Sequence, residues 1–289
     1  MTTLIVSSTE DPASTNIKNH LLMNKGWREK EEIFSHPVYW NKTINSLLVT
    51  IDDKHILHNG IDKEVVDAFN VDLQQVIVVS RHRSKTGEPT LTTHPVGNFG
   101  EAKFGGKDRT FVESSPYLMT ALLRLIKKHA ENNGLYHQVS FEVTHHGPYL
   151  ETPVFYAEVG STEEEWRKKP SAKTIADAVF ELLSKYRPGN DLPGDTPVLV
   201  GVGGGHYAPR FTDLVFEKDV AFGHMIPSYQ IDAGLVDEEI LQKVFDATPD
   251  FKGVYIHRKT LKKPVVRWFE KVFEEMDVKV WRSADLKPL

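Results

Sequence analysis

Residues 76–84 read VIVVSRHRS, and this stretch contains the pattern that decides the fold. Four consecutive β-branched residues, Val76 to Val79, are typical of a strand buried on both faces of a parallel sheet. A polar run follows at once from Ser80. Three later strand-like segments also run directly into glycine or histidine: residues 139–143 into THHGP, 198–202 into GGGHY and 220–222 into GH. Because ligands bind beyond the carboxyl ends of strands in open α/β sheets, these endings predict one polar cleft.

Strand-like segments alternate with segments of helical period along the whole chain, and this alternation indicates an α/β protein. We predict strands near residues 4–7, 47–51, 76–80, 139–144, 155–159, 198–202, 220–222, 253–256 and 278–281. We predict helices over residues 116–132 with Ser115 as N-cap, from a capping box at residues 161–164, over 172–186 and near 264–276.

A segment rich in Pro and Gly, residues 190–197, is the best linker candidate. Strand-like segments continue on both sides of it, so we interpret it as a surface connection. The expected architecture is therefore a single α/β domain over residues 1–289, with three layers and one mixed, mostly parallel sheet.

The composition excludes several classes of protein. The 289 residues are 40% hydrophobic, which is enough for an ordinary core and excludes disordered, collagen and coiled-coil chains. Cysteine is absent, so disulfides, iron–sulfur clusters, thiolate zinc sites and cysteine nucleophiles are excluded. Any metal must use histidine and carboxylate ligands, and there are 13 histidines. The formal charge of −5 argues against general coating of nucleic acid but leaves local basic patches open.

The chain has neither a membrane-spanning pattern nor a targeting pattern. Its longest apolar runs are far shorter than the roughly 18 residues of a membrane span. The start, MTTLIVSSTEDP, lacks the features of a signal or transit peptide. We expect a location in the cytoplasm, or in the cytoplasm and the nucleus.

Adjacent histidines stand at the end of one predicted strand. On a continuing strand His145 and His146 would face opposite sides, so both serve one site only if the strand ends there. The following Gly147 and Pro148 favour such an ending. The alternative is that one histidine belongs to the site and the other is hydrogen-bonded in the core.

The glycine run at residues 201–205 does not indicate a nucleotide cofactor, because it lacks the Gly-Lys-Ser/Thr ending of a P-loop and misplaces the third glycine of the dinucleotide fingerprint. Close backbone approach to a ligand, with His206 at the end of the run, fits better, and a tight structural turn is the alternative.

The segment from Leu91 to Lys107 is rich in glycine and polar residues and is predicted as a long functional loop that carries His94. A zinc site without cysteine then has enough imidazoles, with Glu142 and Glu158 as available carboxylates. The histidines are His94, His145, His146, His206 and His224. Among the basic clusters, Arg81, Arg83 and Lys107 flank the predicted cleft, and the others, including residues 258–263, are interpreted as solvated faces.

Six blocks, in this order, resemble the archaeal and plant type of D-aminoacyl-tRNA deacylase. They are Ser80-Arg81-His82, residues 91–94 with Gly97-Asn98, Glu142 with residues 144–148, residues 158–166, residues 201–209 and Gly223-His224. The resemblance implies a zinc-dependent esterase that releases D-amino acids from tRNA, and a fold similar to those of peptidyl-tRNA hydrolase and nucleoside phosphorylases. It also implies, in plant members, removal of aldehyde-modified D-aminoacyl groups and a link to ethanol and acetaldehyde tolerance.

The roles of individual residues are our own hypothesis, since the resemblance does not supply them. Catalytic roles are assigned to His82, Glu142, Thr144 and His145. A zinc ion is assigned to His94, His146, His206 and His224, with His145 as an alternative ligand. Substrate-binding roles are assigned to Ser80, Arg81, Arg83, Asn98, Lys107, Gly203, Gly204, Gly205 and Tyr207, where the glycine N–H groups would hold an oxyanion or a phosphate.

The expected reaction is hydrolysis of a carboxylic ester, with the acceptor end of D-aminoacyl-tRNA as the macromolecular partner and a monomer as the favoured state. Two alternatives stay open on the sequence alone. One is a nucleoside phosphorylase-like enzyme or other small-molecule hydrolase, which would not depend on tRNA. The other is a protein that binds the tRNA end without catalysis.

Overall fold

The structure is a computed structural model that describes residues 2–186 and 195–289. The predicted linker at residues 190–197 lies for the most part outside the described residues. The strands are β1 (Thr2–Ser8), β2 (Trp27–Ile33), β3 (His36–Asn41), β4 (Ser46–Ile51), β5 (Leu73–Arg81), β6 (Thr90–Pro95), β7 (Gly97–Asn98), β8 (Thr110–Phe111), β9 (Gln138–Phe141), β10 (Val154–Gly160), β11 (Val198–Val202), β12 (Ala221–Ile226), β13 (Phe251–Ile256) and β14 (Val280–Trp281).

Helices alternate with these strands along the chain. They are α1 (Pro12–Leu22), α2 (Ile61–Phe69), α3 (Pro116–Asn132), α4 (Glu163–Arg167), α5 (Lys169–Lys185), α6 (Pro209–Glu217), α7 (Ser228–Asp232), α8 (Glu238–Asp246) and α9 (Lys263–Glu275). None of the helices in the described ranges is long and apolar enough to cross a membrane.

The larger sheet has eight strands in the order β2-β3-β4-β1-β5-β10-β6-β9. Its centre is parallel, since β4, β1, β5 and β10 all run in one direction, whereas β6 is antiparallel to β10. The four-stranded sheet, in the order β12-β11-β13-β14, is parallel throughout. The prediction of an α/β protein with a large, mostly parallel sheet is confirmed.

The prediction of one continuous sheet is wrong. Strands β12, β11, β13 and β14 form a four-stranded sheet of their own, and β7 pairs with β8 in a third, two-stranded sheet. One apolar cluster nevertheless contains residues of the larger sheet, of the four-stranded sheet and of the helices between them, including Ile77, Leu122 and Leu199. We therefore retain a single domain over residues 1–289 as a proposal.

Helix α3 has the bounds that the sequence predicts. Its apolar face, which includes Leu122, Leu123 and Ile126, is fully buried, and burial of each such side chain contributes about 1.5–3 kcal/mol. Ser115 stands at the N-cap position, but its hydroxyl donates to the Gln75 side chain and caps no N–H group. At α4 the N-cap is Thr162, whose side chain accepts from the N–H of Glu165, and the Ser161 hydroxyl donates to Glu88.

The part of the larger sheet that carries the site is the pairing of β10 with β5 and β6. Glu158 lies beside Ser80 on one neighbour and Thr92 on the other, and Tyr156 lies beside His94. Because side chains alternate along a strand, these residues share one face of the sheet. The segment predicted as a loop at His94 is therefore strand β6, which brings His94 to the same face as Glu158.

Candidate active site

A cavity of about 340 Å³ opens where β1 and β5 end, as the polar endings of the predicted strands suggest. It brings together Ser80 to Arg83 with three of the histidines singled out in the sequence. Its lining residues are Ser8, Glu10, Asp11, Lys54, His55, Ile56, Ser80, Arg81, His82, Arg83, Phe104, His145, His146, Glu158 and His206.

A second cavity of about 580 Å³ adjoins the first. The two cavities share Phe104, His145 and His146, so these histidines are reached from both sides. The second cavity is also lined by apolar side chains, among them Phe99, Tyr229 and Leu235.

Three histidines form a compact cluster between the cavities, and we call His94, His145 and His146 the histidine trio. Their ring centroids lie 4.2 to 4.8 Å apart. One ring nitrogen of each lies within 4.8 Å of those of the other two, which is the spacing of ligands around a metal ion.

Local backbone geometry makes the trio compact. Strand β9 ends at Phe141, and His146 adopts a left-handed backbone conformation with a φ of 46°. Both adjacent side chains consequently face His94. The strand thus ends before the two histidines, as is required for both to serve one site. Gly147 then lets the loop around Gly106 approach, because a Cβ atom at Gly147 would lie 2.2 Å from the Gly106 nitrogen.

Each ring of the trio has its Nδ1 atom beside a backbone carbonyl oxygen. The distances are 3.1 Å from His94 to Pro95, 2.7 Å from His145 to Val143 and 2.6 Å from His146 to Gly147. An Nδ1–H group that donates to a carbonyl leaves Nε2 with the lone pair, which is the tautomer that binds a metal. The Nε2 atom of His94 is buried and has no hydrogen-bond partner among the described residues.

Charges around the trio favour a cation at its centre. Burial and the positive charge of neighbouring His94 hold the pKa values of His145 and His146 well below the usual range, so both rings are neutral. At His94, burial lowers the pKa, but the nearby Glu158 carboxylate outweighs burial and raises it. His94 Nε2 lies 3.7 Å from a Glu158 oxygen, which favours positive charge at this nitrogen: a proton on the ring in the absence of a metal, and a bound cation in place of that proton when a metal is present.

Glu142 is fully buried and lies against three histidines. Its Oε2 atom is 2.9 Å from His206 Nε2 and 3.5 Å from His145 Nε2, and its Oε1 atom is 3.0 Å from His82 Nδ1. Burial raises the pKa of this carboxyl, but the hydrogen bonds from His206 and His82 outweigh burial and hold the pKa well below its usual range. Glu142 is therefore an ionised carboxylate next to the half-buried ring of His206.

His82 balances the charge of the two buried carboxylates. Burial lowers its pKa, but hydrogen bonds to Glu142 and Glu158 outweigh burial and raise the pKa to about 11. Burial and the charge of Glu142 raise the pKa of Glu158, but its contacts with His82 and His94 outweigh them and lower the pKa to about 2. His82 Nε2 also lies 3.1 Å from the Tyr207 hydroxyl. A ring held protonated in this way does not act as a base near neutral pH.

The structure gives His224 and Thr144 a different role from the one expected. His224 is fully buried, its Nε2 atom lies 3.0 Å from the Val112 carbonyl oxygen, and its Nδ1 atom lies 3.1 Å from the Thr144 hydroxyl. The Thr144 hydroxyl also accepts from the Met225 N–H. Because both ring nitrogens of His224 are occupied by the protein, we no longer assign a metal ligand to His224 or catalysis to Thr144.

Two glycines expected to hold an anion already donate within the protein. The Gly203 N–H donates to the Ile226 carbonyl, and the Gly204 N–H donates to the hydroxyls of Ser228 and Thr260. Gly205 is exposed and nothing lies within 4 Å of the space that a Cβ atom would take. The oxyanion role is therefore dropped for Gly203 and Gly204.

Asn98, on β7, lines the second cavity, whereas Lys107 is not part of the lining of either cavity, although the sequence placed it beside the cleft. The Asn98 side-chain amide donates to the Gly105 carbonyl at 2.8 Å, so it shapes the loop at Gly105. The ammonium group of Lys107 lies 3.5 Å from the centre of the Tyr149 ring. In contrast, Arg81 and Arg83 line the first cavity, and both guanidinium groups lie 5.1 Å from the centre of the Trp166 ring.

Residues 69–281, about three-quarters of the chain, match the family model described as D-aminoacyl-tRNA deacylase. The chain belongs to the D-aminoacyl-tRNA deacylase family. The resemblance indicated by the six sequence blocks is thereby confirmed.

Two archaeal members of the deacylase family illustrate the likeness. The D-aminoacyl-tRNA deacylase of Pyrococcus horikoshii is 40% identical over 228 residues, which cover 78% of this chain and 80% of that protein. The one of Thermococcus kodakarensis is 33% identical and is matched over 97% of this chain and 99% of its own length. A crystal structure of a conserved protein of unknown function, AF0625, superimposes with a TM-score of 0.87 at 29% identity, over 99% of this chain and 96% of that one.

Asp11 and His55 of this deacylase-family chain line the cavity but are not assigned to the site from the sequence. Asp11 accepts from the Arg81 N–H at 2.8 Å and lies 3.1 Å from His55 Nε2. An Asp-Pro pair at the start of a helix is a recognisable N-cap signal, so the position of Asp11 could have been predicted from the sequence. No comparable sequence signal marks His55, because its position in the cavity depends on a contact with Asp11, which is 44 residues away in the chain.

Proposed function

We propose that this protein hydrolyses the ester between a D-amino acid and the terminal ribose of tRNA at the histidine trio and the neighbouring Glu142–His206 pair. The observation that carries the proposal is the arrangement of three clustered imidazoles, each with Nδ1 toward a backbone carbonyl, beside a buried carboxylate–histidine pair and a cavity lined by arginines. The archaeal relatives are named D-aminoacyl-tRNA deacylases, and a phosphorylase-like activity is not favoured.

The trio fits a metal ion, and we assign zinc to it. The Nε2 atom of His94 is buried without a partner, and the three Nδ1–H groups are held by carbonyls, as is usual for histidine ligands. Three histidines with an open fourth position are a known ligand set for catalytic zinc. When bound, a zinc ion supplies Lewis-acid stabilisation for negative charge on the ester carbonyl oxygen.

His206 is assigned as the general base. Its Nε2 atom lies 2.9 Å from the Glu142 carboxylate. With the ring proton on Nε2, facing this carboxylate, Nδ1 has the lone pair on a half-buried ring at the cavity wall. His206 Nδ1 takes the proton of the attacking water as the water oxygen bonds to the ester carbonyl carbon. The bond from that carbon to the ribose oxygen then breaks, and His206 gives the proton to this leaving oxygen, which becomes the free ribose hydroxyl. The Glu142 carboxylate stabilises the ring while it carries the proton.

The two cavities suggest how the substrate lies. We assign the terminal nucleotide to the first cavity, because Arg81, Arg83 and Lys54 line it and arginine pairs well with phosphate. The amino-acid side chain is assigned to the second cavity, whose wall includes Phe99, Tyr229 and Leu235. The ester would then lie at the shared residues His145 and His146. Action on aldehyde-modified D-aminoacyl groups, a role in ethanol tolerance and a cytoplasmic location stay predictions from the resemblance and the sequence.

The test is release of amino acid from D-Tyr-tRNA and from L-Tyr-tRNA by the purified protein with one equivalent of zinc. We expect release from the D-substrate alone. A thousandfold preference requires about 4 kcal/mol of differential binding in the transition state. No release from either substrate, with and without zinc, would overturn the proposal. Release of both at equal rates would retain an esterase but remove the chiral specificity.

A further inference from the structure

A separate basic cavity lies at the carboxyl end of the four-stranded sheet, and we call it the basic crevice. Its volume is about 830 Å³, and it is lined by residues that follow β13 and β14 and by the start of α6. The chain leaves β11 through α6 toward β12 on one side, whereas β13 lies on the other side of β11. Such a point, where the order of strands reverses, is where parallel α/β sheets bind their ligands.

The side chains of the basic crevice favour an anion. Its lining contains four cationic side chains and one carboxylate, which belongs to Asp213. The cationic residues are Arg210, Arg258, Lys259 and Arg282. Arg258 is paired with Glu270 at 2.6 Å. The side chains of Arg210, Lys259 and Arg282 have no carboxylate within 4.0 Å in the described parts of the chain, so their charge is not cancelled locally.

Arg210 is held in place by neutral groups. Its guanidinium group donates to the Tyr255 hydroxyl at 3.0 and 3.1 Å and to the Ser283 hydroxyl at 2.5 Å. It is also the second residue of α6, whose N-terminus has no side-chain cap. The positive charge of a fixed guanidinium group is repelled by the positive end of the helix dipole. A bound anion such as a phosphate would interact favourably with both and offset this repulsion. The crevice wall further contains His257, whose Nδ1 atom is buried without a partner in the structure described.

The basic crevice lies next to the active site along the chain. Only residues 207 and 208 separate His206, at the wall of the first cavity, from Pro209 in the crevice. Three residues span at most about 11 Å. The chain therefore brings the start of the crevice close to the first cavity, and a ribose ester bound in that cavity is attached to a polynucleotide that carries a phosphate at every nucleotide.

We propose that the basic crevice binds the phosphate backbone of the tRNA acceptor arm, upstream of the terminal nucleotide. The inference rests on the proposed function, since it concerns the same substrate. A volume of about 830 Å³ is larger than a single phosphate needs, and the cations are spread along two strand ends and one helix start, as a backbone track requires. The crevice supplies affinity for RNA, and the histidine trio supplies the chemistry.

The experiment compares two substrates, D-Tyr-tRNA and the D-tyrosyl ester of adenosine, which lacks every phosphate. The variant is Lys259→Ala with Arg282→Ala, and the matched control is Arg28→Ala with Lys42→Ala, which removes two exposed cations from β2 and the β3–β4 turn. For the crevice variant we expect the KM for D-Tyr-tRNA to rise on the order of tenfold, with kcat retained and with unchanged hydrolysis of the adenosine ester. The slope of log KM against log salt should decrease by about 1 to 2.

The outcomes separate this inference from the proposed function. Hydrolysis of neither substrate by the unaltered protein contradicts the proposed function itself. If the unaltered protein is active and the crevice variant matches the control on D-Tyr-tRNA, the crevice does not bind RNA. Parallel losses on both substrates in a variant with normal thermal unfolding would place Lys259 and Arg282 in the catalytic site and also overturn the inference. A KM effect confined to D-Tyr-tRNA supports it.

Discussion

His94, His145 and His146 are oriented by carbonyl oxygens that lie close to them in the chain, at Pro95, Val143 and Gly147. The ring orientation, with Nδ1 toward the carbonyl and Nε2 directed away from it, is therefore fixed by local backbone geometry before any ion binds. Fixed ligand tautomers bind metals more tightly than rings that must be reoriented. The metal affinity of the trio should consequently depend on all three rings and much less on nearby histidines that hydrogen-bond elsewhere.

Replacement of His146 tests the assignment of the trio. His146→Gln should lose the bound zinc that the unaltered protein retains after gel filtration, because a metal site with two remaining imidazoles is weak. Metal content by atomic absorption measures this directly. The control is His55→Gln, which changes another cavity histidine outside the trio and should keep its zinc. Equal zinc in His146→Gln and the unaltered protein would contradict the assignment.

Replacement of His206 tests the assignment of the base. His206→Gln should lower kcat on D-Tyr-tRNA on the order of a hundredfold or more, because the proton acceptor is removed, whereas zinc content is retained. Parallel measurement of kcat and zinc decides between two roles. Loss of zinc together with activity would show that His206 is a ligand, as the sequence alone suggests, and that the Glu142–His206 pair is not the base.

Much of the site was predictable from residue types at strand ends. His94 was expected on a loop and Glu142 as an available carboxylate, while His145, His146 and His206 stand out because polar residues follow apolar runs. The structure brings all five together. His224 stands out for the same reason, yet it bonds to Val112, which is 112 residues away in the chain. Pairings of this kind depend on how segments distant in sequence pack, and a pattern within one segment does not contain that information.

At the scale of secondary structure, periodicity located the long buried elements well. Helix α3 and strands β4, β5, β10 and β11 lie where their apolar patterns predict them. Strands β2 and β3 were missed because they form an antiparallel hairpin at the edge of the sheet, where β2 in particular is mostly exposed and charged. Strand β6 was missed because its buried residues are threonines and a histidine, whose polarity resembles that of a loop.

Asp11 joins one helix to one strand, which gives it a measurable effect on stability. It caps α1 by accepting from the Ser14 N–H at 3.0 Å, and it also accepts from the Arg81 N–H at the end of β5. Asp11→Ala leaves the buried Ser14 N–H and the partly buried Arg81 N–H without this acceptor, so the free energy of unfolding should fall by about 2–4 kcal/mol. Urea denaturation monitored by tryptophan fluorescence measures this loss.

The control for Asp11 is another capping aspartate, whose second contact is an ion pair with Arg109 at the surface and not a backbone N–H at the end of a strand. Asp237 is exposed and accepts from the Ile240 N–H at the start of α8. Asp237→Ala should lower the free energy of unfolding by only about 1 kcal/mol. If both replacements cost the same, the contact of Asp11 with β5 does not contribute to stability.

At the scale of the whole molecule, the catalytic groups come from two sheets. His94 and Glu158 lie on the larger sheet, whereas His206 follows β11 of the smaller one. Backbone hydrogen bonds join the segments, from the Val143 N–H to the His206 carbonyl and from the Thr144 N–H to the Met225 carbonyl. The position of His206 against Glu142 thus depends on the packing of the larger sheet against the four-stranded one, and the sequence pattern could not show that these two are separate.

His224 lies at this junction, on β12, and bonds to Thr144 and Val112 outside the smaller sheet. Burial lowers its pKa to about 4, against a value of about 6.5 in an unfolded chain. The unfolded chain therefore binds the proton first as pH falls, and folding stability decreases. The contribution of about 3 kcal/mol is fully present above pH 6.5, and about 2 kcal/mol of it is lost between pH 7.5 and pH 5.

The measurement is the free energy of unfolding in urea at pH 7.5, 6.5 and 5, for the unaltered protein, for His224→Gln and for a control. The control, Phe222→Leu, lies on the same strand in the same core and changes no titratable group. His224→Gln should be less stable at pH 7.5, and its difference from the unaltered protein should shrink by about 2 kcal/mol at pH 5, because the titrating ring is gone. Phe222→Leu should keep a constant difference at every pH. A constant difference for His224→Gln as well would mean that His224 is not held neutral at the junction, and that the packing of the two sheets tolerates its protonation.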